Sequence, residues 1–266
     1  MYLEYWKFKA FPFENVPDPR FFYLSRSHGE ALTRMIYAAK MRKGGAMLSG
    51  EVGCGKTTLA KVCIQQLPEE AYDIGLIINP KLEATEFLQE VLYQFGMTEL
   101  PDTKGKCLRL LNEKMMANLQ KRRETLLMVD EAQLLNPSTL EEIRLLLNFQ
   151  LNDRFLITVI LLGQPELKEK IREIEQLNQR IAIKYHVDPF DLDDTSRYIV
   201  FRQKRAGRDE SVFDREAIQR IYDYSKGVPR KINNLCDLSL LTGFGRKRQR
   251  IDAKIVESIV QDDTLF

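Results

Sequence analysis

The chain has 266 residues, 44% of them hydrophobic and 29% charged, with a formal net charge of +2. That length buries a core for one large domain or two smaller ones, and that composition excludes a disordered chain. Lys/Arg and Asp/Glu balance both before and after Asp188, which excludes a polycationic nucleic-acid tail.

The N-terminus begins Met-Tyr-Leu-Glu-Tyr-Trp-Lys and lacks the basic-then-apolar layout of a leader. No apolar run approaches the roughly 18 residues that span a bilayer, so any membrane role is expected to be peripheral. Residues 1–27 hold Phe8, Phe11, Pro12, Phe13, Pro17, Pro19, Phe21, Phe22 and Tyr23. The prolines forbid one regular helix, and the aromatics predict an extended arm packed on the domain. A role for part of this arm in lining an adenine pocket is the other reading.

Helical spacing of Leu32, Met35, Ile36 and Ala39 opens a second segment, taken as 28–188, in which strands and helices alternate. Strands are predicted at Ala46–Ser49, Ile74–Asn79, Thr125–Asp130, Phe155–Leu162 and Ile181–Val187. Helices are predicted at Lys56–Gln66, Ala84–Phe95, Lys104–Arg122, Pro137–Leu147 and Glu166–Glu175. This alternation indicates an α/β fold with a mostly parallel sheet. From 189 to 266 only helices are expected: Asp191–Ala206, Asp214–Tyr224, Arg230–Thr242 and Ala253–Val260. Asp191, Asp214 and Asp252 are their caps or first-turn residues, and Gly207, Gly227 and Gly243 or Gly245 their stops. No internal repeat is visible.

Between the first strand and its helix, Gly50, Glu51, Val52, Gly53, Cys54, Gly55, Lys56 and Thr57 match the phosphate-loop pattern G-x-x-x-x-G-K-[ST]. The glycines let successive backbone N–H groups curl around a polyphosphate. Lys56 meets the β- and γ-phosphates, the Thr57 hydroxyl ligates Mg²⁺, and the helix continuing through Thr58 points its positive end at the anion. Leu126-Leu127-Met128-Val129 then ends in Asp130-Glu131, two carboxylates delivered at the edge where open α/β sheets bind ligands. Asp130 is placed to hold Mg²⁺ through its waters, and Glu131 to orient and deprotonate an attacking water. Gln133 stays open between a polar contact to this pair and a solvated helix-entry residue.

Gln164 follows the fourth strand, where a side-chain amide would lie between the γ-phosphate and Glu131. Arg180 precedes the fifth strand, on the far side of the domain from its own phosphate loop. It is a finger only for a neighbouring subunit's nucleotide. Arg230 sits in the first turn of a helix opened by Gly227-Val228-Pro229, where a cation opposes the helix dipole. Such a local conflict suggests a residue kept for a ligand.

Four cysteines without a C-x-x-C pair, and two histidines, argue against disulfides and structural zinc and for a cytoplasmic setting.

Taken together, these positions resemble the AAA+ ATPases. The fuller wording is similar to the general secretion pathway protein A group and the related ATPases of exosortase and pilus-assembly loci. It comprises Phe11-Pro12-Phe13, Pro17-Asp18-Pro19-Arg20-Phe21-Phe22-Tyr23, Gly50-Glu51-Val52-Gly53, Asp130-Glu131-Ala132-Gln133, Gly163-Gln164-Pro165-Glu166-Leu167 and Gly227-Val228-Pro229-Arg230. The resemblance implies a P-loop five-stranded sheet of order 5-1-4-3-2, a small all-helical lid and ATP with Mg²⁺ between them. It also implies self-association into a ring or filament with sites at subunit interfaces. It assigns Gln164 as sensor 1, Arg180 as the finger and Arg230 as sensor 2. Gln164 stands where these proteins more often have Asn or Thr. Cys54 stands where they have Thr, Ser or Ala, and its thiol adds an expected sensitivity to oxidation. Secretion-pathway members often continue into a transmembrane helix and a peptidoglycan-binding domain. This sequence ends at Phe266, so wall binding is not expected of it.

The expected function is ATP hydrolysis that drives a bacterial envelope system of the secretion, pilus or exopolysaccharide type. A protein partner from that system is expected, with a location in the cytoplasm or peripheral to the inner membrane. The alternative is an ATP-dependent DNA-binding regulator of the kind that accompanies transposases. Arg246-Lys247-Arg248-Gln249-Arg250 would be its nucleic-acid contact, or else a solvated turn. A nucleotide-gated scaffold is disfavoured by Glu131.

Overall fold

The computed structural model describes residues 2–261. Five strands form, each within two residues of its expected bounds: β1 (Gly45–Gly50), β2 (Tyr72–Ile77), β3 (Glu124–Val129), β4 (Ile157–Gly163) and β5 (Ile181–Val187). All neighbours pair in parallel, in the order β2-β3-β4-β1-β5. This is the expected 5-1-4-3-2 order read from the other side. Every residue of β1 and β4 is buried, as is β3 after its first residue. That is why these strands are unbroken apolar runs: helices cover both faces of a parallel sheet. At the edge, β5 exposes Ala182, Lys184 and His186 in alternation, and the lysine discourages pairing with another strand.

The helices are α1 (Tyr2–Trp6), α2 (Arg26–Lys40), α3 (Lys56–Gln65), α4 (Ala84–Gln94), α5 (Lys104–Gln120), α6 (Pro137–Leu146), α7 (Glu166–Glu173), α8 (Glu175–Arg180), α9 (Leu192–Arg205), α10 (Arg215–Ser225), α11 (Pro229–Gly245) and α12 (Ala253–Val260). The helix expected over Glu166–Glu175 is two helices that break at Ile174. The break lets Ile174 pack against the core and seats Leu177 of α8 inside it.

Contacts divide the chain into two compact units. One is Ser27–Gly50 with Leu59–Val187; the other is Met1–Arg26, Glu51–Thr58 and Asp188–Phe266. The first, the sheet unit, buries Phe87, Leu88, Val91 and Leu92 of α4 with Leu111 and Met115 of α5 and Leu140 and Ile143 of α6.

The second, helical unit is capped as its sequence anticipates. Asp191, Asp214 and Asp252 accept from the backbone N–H of Asp194, Ala217 and Ile255, each satisfying one orphan donor of its helix. Its core takes Tyr2, Trp6, Phe8 and Phe13 from the N-terminal arm, packed with Phe190, Tyr198, Ile199, Ile232 and Leu240. The arm therefore opens with the short helix α1, where an extended strip was expected. Arg202, 6% exposed, pins it: Nε donates to Pro12 O at 2.6 Å, Nη2 to Glu14 O at 2.8 Å and Nη1 to Tyr198 Oη at 3.0 Å. A buried guanidinium is tolerated because carbonyls and a hydroxyl take its protons. Gly243 does not stop α11. A Cβ there would lie 2.9 Å from Trp6 Cζ2 and 2.4 Å from Ile251 Cδ1, so the glycine makes room for packing inside the helix.

Trp6 is 2% exposed and its indole N–H donates to Leu240 O at 2.9 Å. Trp6→Ala should cost about 3–5 kcal/mol in urea unfolding, since it loses a large buried side chain and its hydrogen bond to α11. A loss below about 1 kcal/mol would show that the arm is not part of this core.

Candidate functional site

Because β3, β4 and β1 are adjacent and parallel, their following residues all emerge at the C-terminal edge of the sheet. In open α/β sheets that edge is where ligands bind. After β3, Asp130 is 1% exposed, and its N–H still donates to Ile77 O of the neighbouring strand at 2.8 Å. Its Oδ1 accepts the Glu131 N–H at 2.9 Å. Glu131 then turns left-handed, with φ 50° and ψ 34°. A non-glycine residue in that region carries strain and marks a position worth explaining by function.

Two amides hold the Glu131 carboxylate. Gln133 Nε2 donates to Oε2 at 2.5 Å, and Gln164 Nε2 donates to the same oxygen at 3.4 Å. Gln133 is 9% exposed, so it is not a solvated helix-entry residue. Its Oε1 accepts the Gln164 N–H at 3.0 Å. The structure thus brings Asp130, Glu131, Gln133 and Gln164 together. The sequence signal for Gln133 is faint: a polar residue two positions after Glu131.

Arg180 is not with them. It ends α8 just before β5 begins, at the opposite edge of the sheet, where Nη1 donates to Leu147 O at 3.0 Å. Leu147 caps α6, so the guanidinium takes an orphan carbonyl at a helix C-terminus, where a cation is favoured.

β1 ends at Gly50, and the phosphate loop follows in the helical unit. Gly53 and Gly55 have φ of 84° and 83°, which only glycine adopts readily. Cys54 N–H donates to Glu51 O at 3.2 Å, and Lys56 Nζ donates to the same carbonyl at 3.0 Å. Lys56 and Thr57 open α3, with Lys56 5% exposed and Thr57 and Thr58 half-buried, while Glu51 and Val52 are exposed. Within this unit the Arg230 N–H donates to Gly53 O at 3.2 Å. Arg230 is the second residue of α11, whose cap residue Val228 offers no side-chain acceptor. A loop carbonyl therefore satisfies a first-turn donor that nothing local would. A Cβ on Gly53 would sit 2.7 Å from Arg230 Cβ, so this glycine is needed for close approach as well as for its φ.

Cys54 corrects the expected oxidation sensitivity. Burial pushes its thiol up to about 11, against the opposing pull of Lys56. It stays protonated at neutral pH, and all four cysteines are buried.

Thr57 and Asp130 are each of a donor type that Mg²⁺ takes. A threonine hydroxyl and a carboxylate are hard oxygen ligands, and Mg²⁺ keeps waters and phosphate oxygens for its remaining positions. Among the described residues no group of three or more His, Cys, Asp or Glu converges as an all-protein cage would. The described residues also contain no helix long and apolar enough to cross a membrane.

The AAA domain family model matches residues 39–171. The chain is similar to general secretion pathway protein A of Aeromonas hydrophila, 37% identical over 257 residues. That match covers 94% of this chain and 46% of the relative, so the chain spans less than half of that protein's length. Among solved structures it is similar to the Aeropyrum pernix ORC2 protein in its ADPNP-ADP complexes, with a TM-score of 0.70 and 19% identity, covering 91% of this chain and 68% of that one. It is also similar to the Aeropyrum pernix ORC1 protein in complex with DNA, with a TM-score of 0.69 and 16% identity, covering 94% and 68%.

Proposed function

The chain belongs to the AAA domain family of P-loop ATPases, and from that premise we propose that it hydrolyses ATP at interfaces between copies of itself. The cycle would drive assembly or regulation of a bacterial envelope system of the secretion, pilus or exopolysaccharide type. The observation that carries the hydrolytic reading is one edge of the sheet. There Gly50 ends β1, and the Asp130-Glu131 pair and Gln164 follow β3 and β4, three adjacent parallel strands. The secretion reading rests on the similarity to general secretion pathway protein A. With it goes a location in the cytoplasm or peripheral to the inner membrane.

In this reading the loop from Gly50 to Thr58 wraps the phosphates with backbone N–H groups, and Lys56 offsets charge on the β- and γ-phosphates. Thr57 and Asp130 would hold Mg²⁺, which supplies charge neutralisation when bound. Glu131 orients a water and takes its proton as the oxygen attacks the γ-phosphorus and ADP leaves. Gln164 contacts the γ-phosphate side of that water as sensor 1. Arg230 acts from the start of α11 as sensor 2, at the point where its backbone already meets the loop. Arg180 serves a neighbouring copy, since its own chain places it at the opposite sheet edge from Glu131.

Arg180→Ala should keep ATP binding and lower turnover by about 10³-fold or more, as loss of a finger does. Mixing it with Lys56→Ala subunits should lift turnover well above the mean of the two pure samples. A mixed interface whose loop comes from the Arg180→Ala subunit pairs that intact loop with the intact arginine of its Lys56→Ala neighbour. No rescue at any ratio would remove Arg180 from a trans role.

The second reading, an ATP-dependent DNA-binding regulator, is favoured by the turn after α11. There Arg246, Lys247, Arg248, Gln249 and Arg250 are all exposed. Duplex DNA should then bind with ATP present and weaken steeply with salt. No shift at low salt would discard this reading and leave the first.

A further inference from the structure

The geometry points to Gln133 as the positioning residue that sets Glu131 against Gln164, joining the ends of β3 and β4 through one side chain. This rests on the reading of Glu131 as the group that takes the water's proton.

The chemistry of its partners fixes the amide's orientation. A carboxylate only accepts, so the end facing Glu131 is the NH₂; a backbone N–H only donates, so the end facing Gln164 is the oxygen. No other orientation satisfies both. The bond to Glu131 is charge-assisted, at 2.5 Å, and stands in a site where Gln133 is 9% exposed. Such bonds are the strong ones, and screening by water is small there.

The position is itself held. Lys170 of α7 donates from Nζ to the backbone carbonyls of Gln133 and Leu135. On the β4 side, Gly163 leaves the space the amide occupies. A Cβ there would lie 2.9 Å from Gln133 Oε1 and 3.2 Å from Gln133 N. The residue before Gln164 is therefore glycine to make room for Gln133 and for Leu167, whose Cδ2 would lie 2.8 Å from that Cβ.

One consequence concerns geometry alone. Glu131 hangs from a left-handed backbone turn, and a flexible two-methylene stem carries its carboxylate. Gln133 removes that freedom and ties the carboxylate to the same amide that fixes the Gln164 backbone. A proton acceptor and a γ-phosphate contact must share one water, so their mutual distance is the quantity to be fixed.

Two variants separate this role from a merely structural one. Gln133→Glu keeps an oxygen for the Gln164 N–H but sets a second carboxylate against Glu131. Gln133→Met removes both bonds at similar volume. Steady-state turnover and ATP affinity by fluorescent-nucleotide titration are measured for both, beside Glu131→Gln. The expected result is a fall in kcat of about 10- to 100-fold in both variants, with ATP affinity within about twofold of the unsubstituted chain. A structural tether alone would leave Gln133→Glu close to normal, and that result overturns the inference. So does a parallel loss of affinity and kcat, which would mark general disruption. If Glu131→Gln itself keeps normal turnover, the reading of Glu131 fails instead, and the two failures are told apart by that variant.

Discussion

Parallel pairing of β3 with β4 and of β4 with β1 carries the chemistry of this chain. The register sets Val129 beside Leu161 and Leu162 beside Leu48. All three strands therefore stop within a residue or two of one another on the same edge. An antiparallel neighbour would send one of the three loops to the opposite edge. Complete burial of these strands is what demands covering helices, and those helices force the crossover connections that make the pairing parallel. Core packing and site assembly are thus one requirement: the apolar runs that fill the sheet also decide where Asp130, Glu131 and Gln164 emerge.

The helical unit meets a different constraint. Its own helices leave a core that aromatic residues of the N-terminal arm complete, and Arg202 ties the arm down through backbone carbonyls. In the same unit the phosphate loop supplies the acceptor for the first turn of α11, at the price of a glycine at 53. The start of the Arg230 helix is therefore coupled to the conformation of the loop. A change in the Gly53 carbonyl would be felt at once by an N–H with no side-chain cap to replace it.

Much of this was legible from residue order. Apolar runs ending in Asp-Glu or Gly-Gln, and a glycine loop ending in Lys-Thr, name strand ends and the loops after them. The strand order came from family resemblance, because periodicity alone does not tell which parallel strands are neighbours. What stayed hidden depends on contacts distant in sequence. Gln133 reads as an ordinary polar residue until Gln164, from another strand, is set against it. Gly243 reads as a helix stop until Trp6 fills the space beside it. The break at Ile174 leaves no proline or glycine signature; it follows from the core that Ile174 and Leu177 reach. Cys54 reads as a reactive thiol until burial raises it.

The proposed function stands on ATP binding by the phosphate loop that carries Lys56. Equilibrium titration of ATP against Lys56→Ala tests it most directly, with circular dichroism confirming the fold. The account predicts affinity weakened about 30-fold or more, the cost of removing a buried charge from an anionic ligand. Undiminished affinity in a folded variant would contradict it.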